Sequence, residues 1–277
     1  MVSNTASVSP LSHVHPNAQI GHNVVISPFC YIDSDVVIGD NTHVGPNVTI
    51  FDGARIGKHC RIFPGGVISA IPQDLKFEEE VTTAEIGDYT TIRECVTINR
   101  GTKASWKTSI GSHCLIMAYV HVAHDCCVGN HVILANSVNL AGHVTIEDWA
   151  ILEGLVAVQQ FIAVGAHSFI AGGSLVRKNV PPYVKAAREP LSYAGVNSVG
   201  LSRRGYNKET ITHIQDIYRP IFVSGLSLNN ALNYLHDHIA DSVEKQTILH
   251  FINSSSIKGI IKGFASVNNG NGDNNES

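Results

Sequence analysis

The sequence predicts a mainly β protein: a parallel β-solenoid of three-sided coils followed by a small α-helical domain. Three observations predict it. Val, Ile or Leu recurs every sixth residue over most of the chain. Charged residues make up only 15% of 277, where an average soluble domain carries roughly 25%. Beyond residue 207 the apolar spacing changes to that of a helix.

The six-residue period places the solenoid over 1–178. Val8, Val14, Ile20, Ile26, Ile32, Ile38, Val44, Ile50, Ile56, Ile62 and Ile68 are consecutive members. The phase lapses at Asp74 and Glu80, returns at Ile86, Ile92 and Ile98, skips Ala104, and runs from Ile110 to Val176. A period of six matches neither an amphipathic helix nor a two-faced strand. It matches coils of three short strands, each placing one aliphatic side chain in a narrow bore. Three hexads make an 18-residue coil, and coils stack as parallel strands about 4.8 Å apart. Gly often follows the inward aliphatic, and a small or β-branched residue lies four positions on. Cys30, Cys60, Cys114 and Cys126 occupy that small position and read as bore filler rather than redox groups.

Residues 69–85 and 99–109 leave the period, which then resumes. They read as loops ejected from a continuous solenoid, and such excursions commonly carry function. Pro181-Pro182 ends the pattern. A helical domain is expected over 179–265. Ile211, Ile214, Ile217, Tyr218, Ile221 and Phe222 follow a 3.6-residue spacing from Asn207. Further helices are expected at 228–239 and 243–253, with Ser224-Gly225 as a stop and Ser227 as an N-cap. The polar tail, 266–277, is expected to be disordered.

Composition excludes several functions. A 44% hydrophobic content excludes general disorder. A net charge of −4 argues against nucleic-acid binding. No apolar run is long enough to span a membrane, and the first residues lack a secretory pattern. Six cysteines without a Cys-x-x-Cys pair fit a reduced, cytoplasmic protein. No cofactor is expected. Fifteen histidines remain unplaced by composition.

The densest polar cluster is His121-Val122-Ala123-His124-Asp125. One 18-residue coil beyond His124 and Asp125 lie Gly142 and His143, so these four are expected on adjacent coils at one corner. A histidine beside a carboxylate is a general base whose tautomer the acid fixes. A backbone N–H beside glycine offers an oxyanion donor. Two other readings stay open. The histidines are solvated surface groups, or His121, His124 and His143 form a three-histidine zinc site with one open position. His22, His43, His59, His113 and His131 recur and are expected on turns without a catalytic part.

Several segments share a specific resemblance. Gln73-Asp74-Leu75-Lys76, Ile86-Gly87-Asp88, Ile92-Arg93-Glu94, Arg100-Gly101-Thr102, His124-Asp125-Cys126 and Leu140-Ala141-Gly142-His143 carry it within the solenoid. Val180-Pro181-Pro182-Tyr183, Gly195-Val196-Asn197 and Arg203-Arg204-Gly205 carry it beyond. Together they resemble the UDP-N-acetylglucosamine acyltransferases, hexapeptide-repeat enzymes that open lipid A synthesis. The resemblance implies a left-handed β-helix, a homotrimer with sites between subunits, acyl carrier protein as donor and a UDP-sugar acceptor. It implies transfer of a β-hydroxyacyl group to the sugar 3-position. His124 would be the base, Asp125 its orienting partner and Gly142 the oxyanion donor, with His121 and His143 lining the site. Gln73, Asp74, Lys76, Gln159, Gln160, Asn197, Arg203 and Arg204 would contact the sugar nucleotide, and Gly172 would gauge the acyl chain, favouring a longer one. Arg203, Arg204, Lys178 and Lys185 are candidates for docking the acidic carrier.

Four positions depart from the family pattern. Gln159 stands where histidine is expected, Glu153 where glycine is, Pro190 where histidine is, and Val199 where an acidic residue is. They leave an acceptor with a 3-amine open as a variant of the same chemistry, beside a zinc hydratase of the same fold and a non-catalytic scaffold.

Overall fold

The computed structural model describes residues 1–254 and 258–263. The chain winds through three parallel sheets in fixed rotation. The first face begins with Ser7–Val8, the second with His13–Val14 and the third with Gln19–Ile20; every later coil repeats that order. Most strands are only two residues long, one outward and one inward. The inward member is the hexad aliphatic: Ile32, Ile50, Ile68, Ile92, Leu134 and Ile170 are fully buried. Each such side chain contributes about 1.5–3 kcal/mol on burial, which is what holds strands too short to persist alone.

Register follows the 18-residue coil, as in Ile26 against Val44 and Ile32 against Ile50. At the two interruptions it lengthens by whole hexads. Ile62 pairs with Ile92, a coil longer by two hexads, and Ile92 with Ile116, a coil longer by one. Both ejected segments leave between the second and third faces. One runs between Val67–Ala70 and Thr83–Ile86, the other between Thr97–Asn99 and Lys107–Ile110. The strands therefore reach into both ends of the expected 69–85 and 99–109 loops, leaving 71–82 and 100–106 outside the coil.

Most corners turn through one residue with positive φ. Asp125 (59°), His143 (60°) and Phe161 (66°) do so between the second and third faces. His59, Tyr89, His113, His131, Trp149 and His167 do so between the third and first. This conformation costs roughly 1–2 kcal/mol per residue, and the stacked coils over-determine it. Glycine after the inward aliphatic has a separate reason. At Gly129 a Cβ would lie 2.2 Å from Asp148 Oδ1, which accepts the Asn130 N–H at 2.7 Å. The four bore cysteines are buried and unpaired, each with its thiol near a carbonyl of the following coil, as Cys126 Sγ is to Ala141 O at 3.1 Å. Burial pushes the Cys114 and Cys126 thiols up to about 11 and about 12, the wrong direction for redox chemistry.

Beyond Leu175–Val176 the first face continues with Val184–Ala187, which turns back as the antiparallel strand Ser192–Val196; Lys262–Gly263 then pairs with that strand. Neither hairpin strand follows the hexad. Four helices follow: α1 Ser198–Arg203, α2 Lys208–Phe222, α3 Leu228–His238 and α4 Val243–Ser254. Asn207 caps α2 and Ser227 caps α3, each side chain accepting a backbone N–H one turn on. Tyr218 of α2 is fully buried and donates to Pro182 O at 2.6 Å, fixing the helices to the end of the solenoid. None of the described helices is long and apolar enough to cross a membrane. The expected disordered tail, 266–277, lies outside the described residues.

Candidate active site

The corner between the second and third faces gathers the five expected catalytic residues. His121 ends its turn of the second face in the strand His121–Val122, and Cys127–Val128 opens the third. His124 and Asp125 fill the corner between them. One coil on, the His143 N–H donates to His124 O at 3.1 Å. Gly142 lies against the His124 ring so closely that a Cβ there would stand 2.6 Å from Cε1 and 2.7 Å from Nε2. Only glycine leaves room for that imidazole. His143 meets the His124 ring edge-on, with centroids 5.2 Å apart, and stacks on Phe161 at 4.6 Å.

The Asp125 side chain has no exposed surface. Its Oδ2 accepts from His124 Nδ1 and from Thr102 Oγ1, both at 2.7 Å. Its Oδ1 accepts the Thr102 N–H at 2.9 Å and the Ser105 hydroxyl. Burial opposes ionisation, but the bonds from Ser105, His124 and Thr102 outweigh it and lower the carboxyl to about 2. A carboxylate only accepts, so His124 carries its proton on Nδ1 and presents Nε2 as a free base toward Gly142. His121 is lowered by burial and then by the neighbouring His124, so its ring is neutral; its Nδ1 meets Thr97 Oγ1 at 2.7 Å. No backbone carbonyl is paired with the Gly142 N–H among the described residues.

A three-histidine zinc site does not fit this geometry. The groups whose ligand atoms fall within 4.8 Å of one another are His124, Asp125 and His143, without His121. The lone pairs of Asp125 are already committed to Thr102, Ser105 and His124. Metal ligation would strand those donors in a buried pocket, at a cost of about 1–3 kcal/mol each.

Comparison with known proteins agrees with this corner. Residues 17–52 and 107–142 match the bacterial transferase hexapeptide model, and 179–261 match the model described as UDP-N-acetylglucosamine O-acyltransferase, domain 2. The acyl-(acyl-carrier-protein)–UDP-N-acetylglucosamine O-acyltransferase of Thiobacillus denitrificans is 46% identical over 258 residues, covering 93% of this chain and all of the relative. This chain belongs to that acyltransferase family. The relative of the same name from Aliivibrio fischeri is 48% identical, covering 95% of this chain and all of its own. The UDP-N-acetylglucosamine acyltransferase structure from Bacteroides fragilis superposes with a TM-score of 0.90 at 48% identity, over 92% of this chain and all of that one. The enzyme of the same name from Campylobacter jejuni gives 0.87 at 33% identity, over 93% of this chain and all of its own. The family fold is the left-handed parallel β-helix with a C-terminal helical domain, and this chain has it.

The remaining family positions are scattered in the single chain. Gln73, Asp74 and Lys76 sit on the 71–82 loop, where Asp74 Oδ1 accepts the Lys76 N–H at 3.0 Å. Gln159 and Gln160 are exposed at the His124 corner, one coil beyond Gly142. Asn197, Arg203 and Arg204 belong to a different corner, between the third and first faces. There Asn197 caps α1, its Oδ1 accepting from Gly200, while its Nδ2 donates to His167 O. Arg204 lies over Trp149 and against His167 Nδ1 at 3.3 Å. The arginine pair closes α1: Arg203 is its last residue and Arg204 its C-cap. Arg203 lines an open groove of about 600 Å³ with Val199, Tyr206 and Lys208.

Gly172 lies at the third kind of corner, between the first and second faces, where its N–H donates to Glu153 Oε2 at 3.0 Å. Two departures thus have local accounts: Glu153 caps the Gly172 amide, and Val199 is an exposed residue of α1. Nothing in the structure explains Pro190. Sequence reasoning missed Thr97, Thr102, Ser105 and Phe161. Thr102 and Ser105 were within reach, since a whole-hexad ejection at this corner sets the 100–106 loop directly over Asp125.

Proposed function

We propose that this protein transfers a β-hydroxyacyl chain from acyl carrier protein to the 3-hydroxyl of UDP-N-acetylglucosamine, the first step of lipid A biosynthesis. The observation that carries this reading is the buried His124–Asp125 pair, with Nε2 unencumbered beside Gly142, in a chain of this family. His124 Nε2 removes the proton of the sugar hydroxyl, and the oxygen attacks the thioester carbonyl carbon. The oxyanion that forms takes the Gly142 N–H, and Asp125 balances the imidazolium. Collapse breaks the carbon–sulfur bond, and the imidazolium returns its proton to the carrier's sulfur. No covalent enzyme intermediate and no metal enter this scheme.

The family's acceptor and acyl-chain positions lie on three different corners, so one chain does not surround one substrate. This supports a homotrimer in which Gly172, Asn197, Arg203 and Arg204 complete a neighbour's His124 corner. The unpaired cysteines fit a reduced, cytoplasmic setting for the reaction. The test is a panel of UDP-sugars bearing a 3-hydroxyl or a 3-amine against acyl carrier proteins of several chain lengths. Transfer to the 3-hydroxyl acceptor is expected; transfer confined to the 3-amine acceptor would overturn the O-acyl reading. Light scattering on the same sample is expected to give three times the mass of one chain. Monomer mass would remove the shared site.

A further inference from the structure

Asp125 has four acceptor positions on its two oxygens, and the two of them not facing His124 and the Thr102 hydroxyl are filled from one loop. That loop is the second ejected segment, 100–106. It supplies three donors in all: the Thr102 N–H, the Thr102 hydroxyl and the Ser105 hydroxyl. We infer that Thr102 and Ser105 are positioning residues for the His124–Asp125 pair, holding the carboxylate from outside the coil. The inference rests on the acyl-transfer reading of this corner. It adds two residues that touch neither substrate nor the reacting atoms and act through Asp125.

The loop is built to hold this position. The Gly101 N–H donates to Thr83 O and the Thr82 hydroxyl to Gly101 O at 2.6 Å, so the loop returns tightly over the coil below. The Trp106 N–H closes it by donating to Thr102 O at 2.8 Å. Ser105 Oγ has one proton and two acceptors in reach, Lys107 O at 2.9 Å and Asp125 Oδ1; the ionised carboxylate is the stronger. From below, the Asp125 N–H donates to Thr108 Oγ1 at 2.8 Å, so backbone and side chain are both fixed. Lys103 ties the loop to the 71–82 segment, through Nζ to Glu78 at 3.0 Å and its N–H to Glu80 at 3.2 Å. The segment that carries Asp74 and Lys76 is thereby linked to the carboxylate behind the base.

The direction of the effect follows from charge. Each donor on Asp125 stabilises its anion, and without it the His124–Asp125 pair takes up a proton more readily. The titratable groups facing His124 are Asp125, His143 and His121; Lys103 and Glu80 stand behind the loop. Removing a hydroxyl from Thr102 or Ser105 therefore moves the acid limb of activity to higher pH. A purely structural loss lowers activity equally at every pH.

The test compares Thr102→Val and Ser105→Ala with Thr102→Ser and Ser105→Thr in the full-length protein. Steady-state kinetics across pH give kcat and KM. Hydrogen exchange at the His124 Cε1 position, followed by mass spectrometry, gives the pKa of that ring without any turnover. The hydroxyl-free variants should lose about tenfold in kcat, the size of one charge-assisted hydrogen bond, with KM unchanged. Their acid limb and the His124 ring pKa should both rise, and the hydroxyl-retaining variants should recover wild-type values. An unchanged ring pKa in both Thr102→Val and Ser105→Ala overturns the inference, whatever happens to kcat. Wild-type protein that transfers no acyl group, with the ring pKa still shifting in the variants, would overturn the acyl-transfer reading alone.

Discussion

Two of the three corners of this solenoid carry histidines, and only one of them is built for chemistry. Between the third and first faces, His59, Tyr89, His113, His131 and Trp149 stack face to face at centroid distances of 4.0–4.9 Å, and His167 and Tyr183 extend the column. Each ring after His59 is satisfied by rings above and below. Between the second and third faces the column is broken. Gly142 precedes His143, Asp125 replaces a ring in the coil below, and a loop folds over the gap. Deleting one ring from the stacking sequence and burying a carboxylate in its place turns a structural histidine into an oriented base. Residue type alone does not distinguish the rows; the neighbour one coil away does.

The largest test of that contrast removes one histidine from each row. His124→Ala should lower kcat at least about a thousandfold, the upper range for loss of a general base, with little change in thermal stability. His113→Ala should leave kcat unaltered and lower stability by about 1 kcal/mol, the worth of its aromatic contacts. Wild-type turnover by His124→Ala would refute the mechanism, and a comparable activity loss in His113→Ala would erase the distinction between the rows.

A subtler test leaves every catalytic side chain in place. Gly142→Ala puts a methyl group within 2.7 Å of His124 Nε2, so the ring must turn away from its bond to Asp125. We expect about a hundredfold loss in kcat, with folding retained because the corner faces solvent on one side. Circular dichroism should match the wild type. Full activity would mean that the ring position is not constrained by this glycine.

Much of this architecture is legible in the sequence because the bore is so narrow that one inward residue per strand must be aliphatic. The hexad therefore reports every coil, and its two gaps report both loops. It also places His124, Asp125, Gly142 and His143 together, since all lie one coil apart with no insertion between them. What resists reading is whatever leaves the period. The hairpin Val184–Ala187 and Ser192–Val196 pairs by edge hydrogen bonds that impose no aliphatic repeat. The six-residue helix α1 is too short to show a period. His43, expected on a turn, lies outward on the strand His43–Val44, because polar residues are equally welcome at outward strand positions and at corners. Thr102 meets Asp125 only because the chain skips one hexad, and that offset appears when coils are paired rather than counted.

The smallest effect concerns the far end of the ring column. His167 stacks between Trp149 and Tyr183 and faces the Arg204 guanidinium. Burial, then the Arg204 charge, push its imidazole down to about 4. In the unfolded chain the ring titrates at about 6.5. Above that value both states are neutral and the stability is complete. As pH falls from about 6.5 toward 4 the unfolded chain gains a proton that the folded one refuses, and stability declines by up to about 3 kcal/mol, less whatever solvent screens. Below the folded value nothing further is lost. Denaturant unfolding of the wild type and His167→Phe at pH 7 and pH 4.5 isolates this contribution, because phenylalanine keeps the stack and cannot titrate. The variant should show the shallower loss on acidification. An Arg204→Gln variant should fall between the two, since it removes the charge and leaves the burial. Equal slopes in all three would mean that His167 accepts its proton without cost, and that the ring column is less closed to water than its spacing implies.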